Sequence, residues 1–166
     1  MPSPVTLADF ERMKASVLWS DEDVKSLRRS HEILAPRVEK ISDVWLGFAR
    51  ARPHLLAARD GRPLADHLGA VRQRLARWIL DTARAEYGQA WLDDQHQLGL
   101  DLHTPPVVPF RDLFLLAFPV TYTLKPFLAQ GGSTPAEVDA MHAAWLKSCL
   151  LQLTLWSHPY IKDGDF

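Results

Sequence analysis

Apolar residues along this chain recur at three- and four-residue spacing and nowhere alternate for long enough to make a sheet, so the pattern predicts helices throughout. Thr6 caps a first helix over 7–19, with Leu7, Phe10, Met13, Val17 and Leu18 on one side. Ser20, followed by Asp21, Glu22 and Asp23, is a second N-cap. Its carboxylates fall in the first turn, where the helix dipole favours them, and that helix runs to Leu34. Pro36 marks a restart or a kink. The next helix, 35–50, carries Val38, Ile41, Trp45, Phe48 and Ala49 at helical spacing. Pro53 opens a short helical turn to Leu56, and AARDGRP makes a loop. A long helix over 64–82 has Leu68, Val71, Leu75, Trp78 and Ile79 as its stripe, with Arg72, Arg74, Arg77 and Asp81 mostly off it.

The stretch YGQAWLDDQHQLGLDLH, Tyr87 to His103, predicts a helix that stops on its histidine. Thr104-Pro105-Pro106 follows at once, and proline lacks an N–H and disfavours the α region for the residue before it. Residues 110–130 are the most apolar segment and predict a buried helix with kinks or breaks at Pro119 and Pro126, ended by Gly131-Gly132. Ser133 or Thr134 caps a last long helix bearing Val138, Met141, Trp145, Leu146, Cys149, Leu150, Leu153 and Trp156, which Pro159 ends. The expectation is an all-α chain of about seven or eight helices.

A length of 166 residues favours one domain spanning 1–166. A chain of this size buries roughly 70% of its unfolded surface, enough for a core and a cofactor cavity. The net charge is −1, from 19 basic and 20 acidic residues, so no basic excess points to nucleic acid or to an anionic membrane. The single cysteine, Cys149, rules out an intrachain disulfide and fits a reducing compartment. No apolar run reaches the ~18 residues of a transmembrane helix. The opening MPSPVTLADFERMK has acids and no apolar core, unlike a signal peptide. These features together predict a cytoplasmic protein. Six tryptophans suit the wall of a cavity for a flat ligand, and equally any helical core.

Of the seven histidines, His31, His54, His67, His142 and His158 lie among polar or charged neighbours, where a surface role is the ordinary reading. His103, at a helix end among apolar residues, can bind a metal through one ring nitrogen and donate from the other. The competing reading is a capping or surface histidine. His96 precedes it by about two turns, or ~10.5 Å, too far for both to ligate one metal. No HxxxH, HxxE or CxxC spacing accompanies either, so a zinc or di-iron site lacks support.

RLARWILDT (74–82), the Tyr87–His103 run, LKPFLA (124–129), TPAEVDAM (134–141) and LWSHPYIKDGDF (155–166) resemble the protoglobins, single-domain haem globins of the globin-coupled-sensor lineage. The resemblance implies a globin-like fold with an extra N-terminal helix, a haem b cofactor (iron protoporphyrin IX), and His103 as the iron's proximal ligand. It also implies a distal pocket walled by Trp45, Leu46, Ala49, Val71, Leu75 and Leu116; ordinary core is the alternative for each. Leu46 stands where relatives carry tyrosine, and Leu75 replaces a phenylalanine. The pocket is thus expected to be apolar, with the Trp45 indole as its one donor. Arg72, Arg74, Arg77 and Lys125 are candidate partners for the haem carboxylates.

The function implied is binding of diatomic gases (O2, CO, NO). A haem enzyme performing NO dioxygenation, peroxidase-like turnover or carbene or nitrene transfer is the alternative, though no distal His–Arg pair supports peroxidase work. A haem-free helical interaction module is the third reading. A homodimer is expected through the last two long helices, with Trp145 and Trp156 on its face.

Overall fold

The chain's caps are written as Ser or Thr followed three residues later by an acid. In the computed structural model Thr6 Oγ1 accepts from the Asp9 amide at 3.2 Å, and Asp9 accepts from the Thr6 amide at 3.0 Å. Asp23 accepts from the Ser20 amide at 2.8 Å. Glu137 accepts from the Thr134 amide at 2.6 Å while Thr134 Oγ1 accepts from the Glu137 amide at 3.3 Å. Each pair occupies amides that the first helical turn leaves without partners.

The structure describes residues 2–52, 68–103 and 110–162. The expected turn and loop over 53–63 lie outside these residues. The helices are α1 (Leu7–Ser16), α2 (Asp21–Leu34), α3 (Val38–Arg50), α4 (Leu68–Arg84), α5 (Gln89–His103), α6 (Phe110–Leu113), α7 (Ala117–Leu128) and α8 (Pro135–Ser157), with short 3-10 segments at Ala35–Arg37, Phe114–Leu116, Ala129–Gly131 and His158–Tyr160. No strand occurs among the described residues. The all-α reading holds.

Two elements differ from expectation. α1 stops at Ser16 instead of 19, because Leu18 turns left-handed (φ +52°) and leaves its side chain 81% exposed. The turn delivers the Leu18 carbonyl to Lys147 Nζ, which donates to it at 2.9 Å and to the Asp23 carboxylate at 2.9 and 3.0 Å. The apolar segment from Phe110 breaks at Phe114–Leu116, not at Pro119. Pro119 falls in the first turn of α7, where a missing N–H costs nothing, and Pro126 is accommodated inside α7. Nor is this segment buried throughout. Val120, Leu124, Phe127 and Leu128 enter the core, but Phe118 and Tyr122 are 71% and 67% exposed. The run Phe110–Gly131 is, by length and composition, apolar enough to cross a membrane, whereas the sequence pattern is expected to hold no apolar run of ~18 residues.

α8 is the central element, packing against α2, α5 and α7. Its buried polar groups find partners in three other helices. Trp145, fully buried, donates to Ser30 Oγ at 2.9 Å. Gln152 accepts from Trp78 Nε1 at 2.7 Å and donates to Thr82 and Ser148 at 3.2 Å each. Trp156 donates to Gln95 at 2.9 Å. Deleting a buried aromatic of this kind typically costs about 3–5 kcal/mol, and here it would also strand a buried acceptor. Trp145 and Trp156 therefore cannot form the expected dimer face; the apolar side chains exposed on α8 are Leu146 and Leu150.

Candidate cofactor site

His103 closes α5, as the proline pair dictates. Its half-buried ring meets the edge of Tyr160, centroids 4.7 Å apart at 83°. The Tyr160 hydroxyl donates to the Leu102 carbonyl at 3.0 Å, and the Tyr160 ring is backed by Phe110 at 5.6 Å. One turn earlier, Gly99 lets α5 approach the α8 backbone. A Cβ there would lie 3.0 Å from Trp156 Cα and 3.2 Å from its carbonyl oxygen.

The other histidines diverge from the surface reading in two places. His158 is half-buried and pairs edge-on with His96, ring centroids 5.8 Å apart. Burial lowers the pKa of His96, as do His158 and the amino terminus, against an opposing pull from Asp93. His142 Nε2 is buried without a hydrogen-bond partner among the described residues. His31 is half-buried; His54 and His67 lie outside the described residues. Among the described residues no cluster of three or more His, Cys, Asp or Glu could hold a metal ion.

Trp45 and Leu46 on α3 and Leu75 on α4 sit on two helices packed against each other. Leu46 is 6% exposed, and Trp45 and Leu75 pack on the core from its margin. The Trp45 indole Nε1 is buried and has no acceptor among the described residues, whereas the indoles of Trp78, Trp145 and Trp156 all have one. A buried donor left unmade costs about 1–3 kcal/mol, so it points to a missing polar occupant. The side chains of Ala49, Val71 and Leu116 lie outside the described residues.

α4 packs on α2 and α3, and α5 packs on α8, so the two are not each other's main partners. Between them runs a cleft of about 1090 Å³, with Arg74, Arg77 and Trp78 from α4 facing Trp91, Gln95 and Leu98 from α5. That volume is at the upper end of ordinary ligand cavities, ~300–1,000 Å³. Its lining adjoins the predicted positions without including them: Arg74 and Trp78 bracket Leu75, and Leu98 precedes His103 by little more than a turn. The sequence reading missed the α5 wall. Trp91, Gln95 and Leu98 follow helical spacing on one face, a signal that was available, but nothing in the pattern said which helix lay opposite.

The structure also separates the four candidate cations. Arg72 is committed to Asp43, with bonds of 2.9 and 3.1 Å, and to Glu39. Lys125 is committed to Asp139 at 2.8 Å. Arg74 and Arg77 have no ion-pair partner among the described residues and stand on the rim of the cleft. The charges lining the cleft are mixed, with Asp81, Glu86 and Asp94 beside Lys14, Arg28, Arg74, Arg77 and Arg84, and neither His103 nor Trp45, Leu46 or Leu75 lines it. What fits haem is the imidazole at the end of α5 together with the buried Trp45 indole, which has no acceptor among the described residues.

Comparison with curated proteins gives no match. The protoglobin family model matches residues 6–166. Because that match takes in α1 as well as every helix from α2 to α8, the chain belongs to the protoglobin family.

Proposed function

We propose that this protein is a single-domain, cytoplasmic haem b globin that binds O2, CO or NO, with His103 as the iron's protein ligand. The observation that carries the reading is the protoglobin family match over residues 6–166, beside an imidazole at the end of α5 and a buried indole on α3 with no acceptor among the described residues. Haem, when bound, would supply an iron able to take up a diatomic gas.

The chain's own residues do the rest. His103 would hold the iron through a ring nitrogen, from a helix end packed against Tyr160 and close to α8 at Gly99. Trp45, Leu46, Ala49, Val71, Leu75 and Leu116 would wall the gas pocket and exclude water. Arg74 and Arg77 would be charge-assisted partners of the haem carboxylates. Leu46 offers no donor where relatives have tyrosine, so stabilisation of a polar bound gas would fall to the Trp45 N–H, which is buried and has no acceptor among the described residues. The same balance favours apolar CO over O2. Two copies of the chain associate through the exposed apolar residues of α7 and α8.

An absorption spectrum of the ferrous protein before and after CO tests the reading. A Soret band that shifts with CO is expected, and His103→Ala should lose the axial-imidazole form. A colourless protein from haem-supplied cells, or an unchanged ferrous spectrum in His103→Ala, would overturn it.

A further inference from the structure

We infer that Tyr160 helps set the orientation of the His103 ring and pins the last turn of its helix, making it a positioning residue for the histidine proposed to hold the iron. This rests on His103 being that ligand.

The need follows from where His103 stands. It is the final residue of α5, and the last four carbonyls of a helix have no partner within it. An end left in that state frays. The torsion that spins an imidazole about its Cβ–Cγ bond is also broad and nearly two-fold, so the ring has no strong preference of its own. A ligand at such a place needs an outside wall and an outside donor.

Tyr160 supplies both from one side chain. Its hydroxyl donates to the carbonyl of Leu102, one of those orphan acceptors, at 3.0 Å. Its ring lies edge-on to the imidazole, 4.7 Å between centroids and 83° between planes. Tyr160 is itself held on two sides. Phe110 backs its ring at 5.6 Å, and the 3-10 turn His158–Tyr160 is stiffened by the fixed φ of Pro159. That turn continues α8 directly, and α8 is locked to α5 at Gly99 and at the Trp156–Gln95 bond. The same turn grips α5 a second time through His158 and His96. The end of α8 thus constrains the imidazole, from a residue 57 places away in sequence (Tyr160 against His103).

The two functions of Tyr160 separate by substitution. Tyr160→Phe keeps the edge contact and removes the donor; Tyr160→Leu removes both. The experiment uses the full, haem-loaded chain. The iron–imidazole stretching band is read by resonance Raman in the ferrous state, and haem loss is timed against a scavenging apo-globin. The metal-free chain gives an independent readout, the proximity of the ring protons of residues 103 and 160 by NMR.

Tyr160→Phe should keep the parent's stretching band and lose haem faster. Tyr160→Leu should shift or broaden the band and lose haem faster still, by roughly 10-fold or more, the usual scale for groups that orient a metal ligand. The inference is overturned if Tyr160→Leu keeps the parent's band, or if Tyr160→Phe disturbs the band as much as Tyr160→Leu does. Circular dichroism of each variant separates local loosening from unfolding, and the NMR contact in the parent chain stands even for a variant that fails to fold. His103→Ala serves as the control. If it loses the band while the Tyr160 variants do nothing, the positioning role alone falls. If it keeps the band, the ligand assignment falls and this inference with it.

Discussion

On the proposed function, the residue with the largest consequence for ligand preference is Leu46. A leucine at 6% exposure would offer a bound gas no hydrogen bond, and its neighbour Trp45 carries a buried N–H with no acceptor among the described residues. A net hydrogen bond is worth about 0.5–1.5 kcal/mol, a factor of roughly two to ten. Leu46→Tyr should slow O2 release by that factor and leave CO release nearly unchanged, whereas Trp45→Phe should speed O2 release. Stopped-flow dissociation rates measure both, and an O2 rate indifferent to both changes would show that neither position faces the ligand. At this scale the helix end at His103 was legible because prolines write it into the local sequence. The packing of Tyr160 against it was not, because no periodicity reports a contact between distant chain segments. Arg74 and Arg77 could be separated from Arg72 and Lys125 only once Asp43, Glu39 and Asp139 had positions in space.

Among the elements, α2, α5 and α8 begin or end where caps and prolines put them, since those signals act within a few residues. α1 and the Phe110–Leu128 stretch departed from the pattern for tertiary reasons. Lys147 captures the carbonyl of Leu18, and a face of α7 that reads as core is turned outward. The junction of α5 with the turn after α8 carries a pH dependence. His96 has a folded pKa below its ordinary 6.5, through burial, His158 and the amino terminus, with Asp93 opposing. The unfolded chain therefore takes up this proton more readily than the folded one. The contribution is fully present above about pH 6.5 and is lost as pH falls below it. Thermal midpoints of the parent should drop more steeply than those of His96→Gln between about pH 7 and pH 5. Parallel curves for the two proteins would refute this.

In the whole molecule, the Lys125–Asp139 ion pair fixes α7 and α8 in antiparallel register. Phe118 lies as far ahead of Lys125 as Leu146 lies beyond Asp139, so the two sit level, with Tyr122 and Leu150 a turn away on either helix. Exposed apolar surface so arranged would serve the proposed association of two copies. Sedimentation velocity should give a two-chain mass for the parent and a one-chain mass for Phe118→Asp combined with Leu146→Glu. A parent that sediments as one chain would remove the dimer from the account. The centrality of α8 has a further consequence, for biosynthesis. Ser30 waits for Trp145, Asp23 for Lys147, and Trp78 and Thr82 for Gln152, all partners more than 60 positions later in the chain. A nascent polypeptide therefore carries the apolar sides of α2 and α5 that face α8 uncovered until its final long helix has left the ribosome, so the burden of avoiding aggregation falls on that interval.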